Sequence, residues 1–353
     1  MPTDISRVSL KQLEAMRSGA RTAVRTCMNV KPSNRVFVLT DRLTHGIGRL
    51  LGEEASDAGG EVLVRDLEQY ADRPIVSMPE PLRAELRRFH PAVTFYAASS
   101  QPGEVSFRMA LRTFLTQDLK VRHAHMPGVT GQLMTQGMNS DYRMVASITT
   151  AVYDMARLAE TVRVTTPDGT DLTARFDLNW RWVPCTGIYH KPGQWGNLPE
   201  GETFSCPQTT DGTLVAHVIG DYFSQKYGVL NEPITLEIRD SLVTDIRGAN
   251  AELVTELAAY LDSAENARRV GEFAIGTNVG LRELTGNMLQ DEKIPGVHVA
   301  FGNPYPAETK APWTSPLHVD VIPVRCTIAL HGEEIMRDGR FDYEILGVAG
   351  PRG

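Results

Sequence analysis

Between Gly271 and Asp320 the chain strings together side chains able to hold a cation. They are Glu272 in Gly271-Glu-Phe-Ala-Ile-Gly276, His298 in Val297-His-Val-Ala-Phe-Gly302, and the pair in Leu317-His318-Val-Asp320. In an extended segment residues i and i+2 project to the same face, so one metal ion can touch both His318 and Asp320. The same alternation puts Val297 and Val299 on one face and the His298 imidazole on the other. Taken alone, His298 reads as a hydrogen-bonded core histidine and Glu272 as a carboxylate that introduces an apolar run. Yet a buried carboxylate is costly unless paired or metal-bound, and Glu, His and His-x-Asp in succession share one explanation, a divalent metal site. Mixed carboxylate and imidazole donors suit Zn²⁺, Mn²⁺, Co²⁺ or Fe²⁺ without choosing among them. A closed structural zinc site would be rich in cysteine, and this stretch has none. Nearby, Lys293 beside Glu292 reads as a solvated lysine in a charged loop, with a hold on a substrate carboxylate as the alternative.

Two domains are expected to position these groups, because 353 residues exceed the size at which one core usually stops growing. Residues 1 to about 160 alternate strand-like and helix-like segments. A helical pattern from Leu10 to Thr26 precedes short apolar runs at Arg35–Thr40, Glu61–Arg65, Ala92–Ala98 and Val121–His125, with helical stretches between them. Such alternation predicts an α/β domain with a parallel, Rossmann-like sheet. From residue 161 to 353 the pattern changes to hairpins. Val162–Thr166 and Asp171–Phe176 flank a Pro-Asp-Gly turn, further strands follow at 214–219, 234–238 and 242–246, and a helix runs near Ala251–Ser263. This half is expected to be an α+β domain on a mixed, largely antiparallel sheet that carries the catalytic groups.

Composition narrows the partners. With 42% hydrophobic and 22% charged residues the chain suits a packed globular enzyme, and a net charge of −7 offers no electrostatic footprint for nucleic acid or an anionic membrane. The start, MPTDISRVSL, lacks the basic flank and apolar run of a secretory signal, so a cytoplasmic protein is expected. Cys27, Cys185, Cys206 and Cys326 are widely spaced and read as reduced, packed thiols. Gly46-Ile-Gly48-Arg-Leu-Leu-Gly52 follows a strand and opens a helix, but it has one residue too many before its third glycine for a dinucleotide loop and reads as helix packing. His123 and His125 share a strand face, and without a carboxylate or cysteine partner they read as a surface or interface pair. GxSxG, HExxH and GK[ST] signatures are absent.

The blocks around Glu272, His298, Tyr305 and His318-Val-Asp320 resemble those of the aminopeptidase T family of dinuclear metallopeptidases. A fourth block, Asn197-Leu-Pro-Glu-Gly-Glu202-Thr-Phe-Ser-Cys-Pro207 followed by Asp211-Gly-Thr, resembles that family's Pro-x-Glu-Glu-Val-Phe-Thr-x-Pro segment. The likeness implies that Glu202, Glu272, His298, His318 and Asp320 hold two divalent ions, Glu200 being the alternative to Glu202. It also implies that Glu202 and Tyr305 act in catalysis, the Tyr305 hydroxyl steadying an oxyanion, in a homodimer acting on a peptide or small molecule. Two ions about 3.5–4 Å apart clamp both the attacking water and the substrate carbonyl.

The leading expectation is therefore a hydrolase, most simply an aminopeptidase, with a specialised metabolite amidase as a variant. Ring-cleaving 2,5-dihydroxypyridine dioxygenases resemble the same family and keep the His-x-Asp pair. A mononuclear non-haem Fe(II) ring-cleaving enzyme, needing two histidines and one carboxylate, is thus the alternative. The tryptophans at 180, 182, 195 and 313 flank the set in sequence and read as packing residues or pocket walls.

Overall fold

Short apolar runs build a parallel sheet in the computed structural model, which describes residues 9–351. The first eight residues, on which the reading against a secretory signal partly rests, lie outside it. The strands are β1 (Arg35–Thr40), β2 (Glu61–Asp66), β3 (Val93–Tyr96) and β4 (Arg122–His125), joined at the edge by β8 (Trp195–Asn197). Their order, β2-β1-β3-β4-β8, with every pair parallel, is that of a doubly wound sheet. The edge strand β8 was not anticipated, since three residues containing a glycine carry too little pattern to read.

The helix His45–Asp57 shows why its glycines are there. A Cβ on Gly48 would stand 2.7 Å from the Thr40 side chain and one on Gly52 2.8 Å from Val64, so both serve close packing of helix on sheet. Where a doubly wound sheet opens a crevice, between the ends of β1 and β3, this chain places Asp41, Arg73, Ser99 and Glu104. Asp41 is fully buried and accepts from the backbone N–H groups of Thr44 (2.8 Å) and Ser99 (2.7 Å). Arg73 pairs with both Asp41 and Glu104, and Glu104 also accepts from the Ile75 N–H. Burial pushes both carboxyls up, but these hydrogen bonds outweigh it and hold each below the usual range. A carboxylate in this crevice repels phosphate, which agrees with the weak glycine signal.

His123 and His125 correct an expectation: they are interior rather than surface residues, 1% and 5% exposed. A parallel sheet covered by helices on both faces leaves its strands no wet side. Thr94 Oγ1 lies 2.8 Å from His123 Nδ1, His125 stacks on Tyr96, and burial holds the His123 pKa down to about 3 and that of His125 well below its ordinary value.

The remaining strands form two sheets, antiparallel at every pair. One has eight strands in the order β13-β12-β10-β6-β5-β17-β18-β19. These are β5 (Thr161–Thr165), β6 (Asp171–Arg175), β10 (Thr209–Ala216), β12 (Ile234–Arg239), β13 (Leu242–Arg247), β17 (Thr327–Leu330), β18 (Glu333–Arg337) and β19 (Arg340–Phe341). The other, β11-β16-β15-β14-β9-β7, comprises β7 (Val183–Cys185), β9 (Glu202–Ser205), β11 (Val218–Ile219), β14 (Val270–Gly276), β15 (Gly296–Gly302) and β16 (His318–Ile322). The odd-numbered residues Phe273, Ile275, Val297, Val299, Phe301, Val319 and Val321 fill the core of this half.

The chain divides into two compact units, Met1–Arg143 with Gly187–Glu200, and Met144–Thr186 with Gly201–Gly353. The division expected near residue 160 thus falls earlier, because Ile148, Val152 and Ala156 of the helix Tyr142–Ala156 belong to the second core. The chain then returns once to the first unit to supply β8. Among the described residues no helix is long and apolar enough to cross a membrane.

Arg73→Met should strand two buried carboxylates and lower stability by about 3–5 kcal/mol. Urea denaturation measures this; a loss below about 1 kcal/mol would show that the cluster is dispensable.

Candidate metal centre

Register across the six-stranded sheet brings the candidate ligands onto one face. Glu272 stands opposite Ala300, which stands opposite Asp320; Ala274 faces His298, Gly302 faces His318, and Gly276 faces Glu202. Each candidate ligand thus has alanine or glycine opposite it on at least one neighbouring strand, which leaves room above the sheet. A bulge at Gly271 makes this possible. The pairing shifts between Val270 and Glu272, so Val270 keeps to the core while Glu272 turns to the opposite face. Only glycine fits the bulge, since a Cβ there would meet the Gly302 carbonyl oxygen at 2.2 Å.

Both imidazoles are aimed by their own backbone. His298 Nδ1 lies 3.0 Å from the Glu292 carbonyl oxygen and His318 Nδ1 3.0 Å from that of Asn303, so Nδ1 donates and Nε2 faces the cluster. Asp320 Oδ1 is 3.8 Å from His298 Nε2 and 3.3 Å from His318 Nε2, and Glu272 spans the two rings at 3.4 and 3.7 Å. Glu202 Oε2 approaches His298 Nε2 to 3.8 Å and is a buried oxygen without a hydrogen-bond partner. An orphaned carboxylate oxygen among inward-facing nitrogens is what a cation would satisfy, so the donor set fits a divalent ion. All five side chains expected to be ligands are brought together. Glu200, the alternative to Glu202, is assigned to the first unit and accepts from Tyr189 at 3.2 Å.

Lys293 and Glu292, read from the sequence as a solvated charged loop, belong to the cluster. Lys293 is 1% exposed, not solvated, and its Nζ contacts Glu202 Oε1 at 2.7 Å and Glu292 Oε1 at 2.8 Å. Glu292 presents an oxygen that lies, with ligand atoms of His298 and Asp320, within a mutual 4.8 Å. Neither residue sits in a strand pattern, so no periodicity marked them. Tyr305 stands at the rim, 38% exposed, its ring 4.7 Å from the His318 imidazole and 6.0 Å from Phe204. Trp182 packs in the core against Phe176 and Phe273, while Trp195 and Trp313 lie under Arg112 and Arg269. No disulfide joins Cys27, Cys185, Cys206 and Cys326.

Electrostatics sets the protonation of the metal-free cluster. Burial disfavours the imidazolium of His298, but Glu272, Glu202 and Asp320 outweigh it and raise its pKa to about 10. His318, against the same opposition from burial, is raised to about 9 mainly by Asp320. Asp320 is lowered to about 2, since His318 and His298 overcome its burial. In metal-free protein the histidines therefore contribute stability that is complete below their ordinary pKa and lost as pH rises through about 9–10. The Asp320 contribution is present above its unfolded value and lost as pH falls through about 2.

Nitrogen-detected NMR of metal-free protein should find His298 and His318 charged at about pH 7.5, a unit above the ordinary histidine value, while His123 and His125 stay neutral down to about pH 5. Neutral His298 at that pH would contradict the carboxylate cluster. Adding a divalent ion displaces the protons, so affinity should weaken as pH falls and calorimetry in two buffers should register proton release. Gly271→Ala should cost about tenfold or more in metal affinity through displacement of Glu272, read by competition with a chelator; unchanged affinity would rule out the bulge as its support.

Known proteins share this fold, and one family model matches the chain. Residues 137–343 match the model of the NicX family, 2,5-dihydroxypyridine 5,6-dioxygenase. The solved structure of 2,5-dihydroxypyridine dioxygenase from Pseudomonas putida KT2440 superposes with a TM-score of 0.67 at 18% identity, covering 95% of this chain and 98% of that one. AmpT from Thermus thermophilus gives 0.66 at 19% identity, covering 94% and 99%. At these identities the two structures share the fold. A search of curated proteins finds no match. Since the family model spans more than half of the chain, this protein belongs to the NicX family.

Proposed function

We propose that the protein is a mononuclear iron(II) dioxygenase that opens the ring of a hydroxylated pyridine of the 2,5-dihydroxypyridine type. The observation that carries this reading is the convergence of His298 Nε2, His318 Nε2 and Asp320 Oδ1, with each Nδ1 tied to a backbone carbonyl. Two histidines and one carboxylate with open positions form the ligand set of non-haem iron oxygenases. Family membership supports the same choice. Iron(II) held there would supply the redox chemistry toward dioxygen that side chains lack. The chain's own residues supply the rest. Glu272, between the imidazoles, can take a proton from a substrate hydroxyl. Tyr305 and Phe204 offer aromatic surface beside His318 against which a planar ring can lie. The sheet's core face, filled by Val297, Val299 and Phe301, excludes water from beneath the cluster.

A second reading keeps the two-ion hydrolase acting on peptides or a metabolite amide. It draws on Glu202 and Glu272 as ligands beyond the three and on the fold shared with AmpT. It needs a second ion beside Glu202, where Lys293 already stands.

Anaerobic loading with Fe(II), iron analysis and oxygen-electrode assays with 2,5-dihydroxypyridine decide between them. One iron per chain and one dioxygen consumed per ring opened are expected, with His318→Ala losing at least about 100-fold of the rate. Hydrolysis of amino-acid anilides without dioxygen uptake would reverse the order of the two readings.

A further inference from the structure

A lysine inside a carboxylate cluster asks for an explanation, because a buried ammonium is tolerated only with partners of opposite charge. Lys293 has them at 2.7 Å in Glu202 and 2.8 Å in Glu292, with only 1% of its surface exposed. Its backbone is tied down on both sides. The Lys293 N–H donates to the Gln290 carbonyl at 2.9 Å, and the Lys293 carbonyl accepts from the Asn278 N–H at 2.9 Å. The ammonium therefore stands where the fold puts it and is not a surface group folded inward.

We propose that the Lys293 ammonium is a built-in second cation, which occupies the place of a second metal ion and restricts the cluster to one. The proposal rests on the mononuclear reading above and deepens it by naming the residue that enforces it. Glu202 divides its two oxygens. Oε1 pairs with Lys293, while Oε2 is a buried oxygen without a hydrogen-bond partner, 3.8 Å from His298 Nε2. Glu202 would thus bridge an ammonium and one ion, as a carboxylate in a two-ion centre bridges two ions about 3.5–4 Å apart. A second ion would have to displace the ammonium from both carboxylates or sit against it at short range, where like charges in a poorly solvated site repel strongly. On this view Lys293 is a positioning residue that governs metal count and not a group that touches substrate.

Metal-free wild-type protein is titrated with Mn(II), and bound metal is counted by elemental analysis and native mass spectrometry, with EPR to detect exchange-coupled pairs. Wild type should saturate at one ion per chain with no coupled signal at excess Mn(II). Lys293→Ala, folded by circular dichroism, should take up two ions and show a coupled pair. Lys293→Arg, which keeps the charge, should remain at one. Should Lys293→Ala fail to fold, Lys293→Gln, which keeps hydrogen-bond donors to both carboxylates without the charge, replaces it with the same expectation. Two ions in wild type, or one ion in the folded neutral variant, overturns the proposal. The outcome is separate from that of the functional reading. Ring opening by a wild type that holds two ions would sink the lysine's role and spare the dioxygenase, whereas a one-ion wild type inert toward dioxygen would do the reverse.

Discussion

Glu202, Glu272, Glu292 and Asp320 are held largely out of water around Lys293, His298 and His318, and so much negative charge in a poorly solvated interior persists only beside cations. The rest of the second unit answers to that constraint. Lys293 places an ammonium between Glu202 and Glu292. His298 and His318 supply positive charge conditionally, as imidazolium when no metal is bound, and would be neutral if they held one. The raised histidine pKa values and the depressed Asp320 describe this demand from both sides. A divalent ion would meet it with less protonation, and its binding would then be coupled to folding in this half of the chain.

Geometry serves the same end. The sheet keeps Phe273, Ile275, Val297, Val299, Val319 and Val321 in the core, and spends its other face on polar groups separated by Ala274, Gly276, Ala300 and Gly302. The bulge at Gly271 carries one strand across from apolar-inward to acid-inward register. Without it Glu272 would point into the hydrocarbon core. Two carbonyl oxygens, from Glu292 and Asn303, then fix which imidazole nitrogen looks into the cluster. Ligand direction is thus set by backbone, which is stiffer than a side-chain support.

The two histidine pairs show how environment decides chemistry. His123 and His125 lie on a strand at i and i+2, as His318 and Asp320 do, but they are surrounded by Thr94, Tyr96 and the apolar interior of the parallel sheet. Burial without carboxylates keeps them neutral. His298 and His318 are also buried, yet acids at 3.3–3.8 Å reverse the sign of the shift. The first unit treats its own buried charge differently. Arg73, Asp41 and Glu104 occupy the crevice at the sheet's switch point as a mutually paired ion cluster.

Much of the fold and the ligand set could be read locally. Alternation of apolar runs and helical patterns marked the parallel sheet, and the period of two placed His298 opposite Val297 and Val299 and paired His318 with Asp320. These hold because side-chain direction in a strand depends on neighbours one or two residues away. Periodicity could not tell that His123 and His125 are interior, since burial depends on what covers the sheet. Nor could it mark Lys293 and Glu292, whose roles come from ion pairs made across the fold. It missed the strand Trp195–Asn197, which is too short to show a period, and the early unit boundary, which depends on the core that the helix Tyr142–Ala156 joins. The sequence by itself determined which groups could ligate and which face of each strand they take; only the tertiary structure decided how many cations the cluster already contains, because charge compensation is a property of distances in space and leaves no period along the chain.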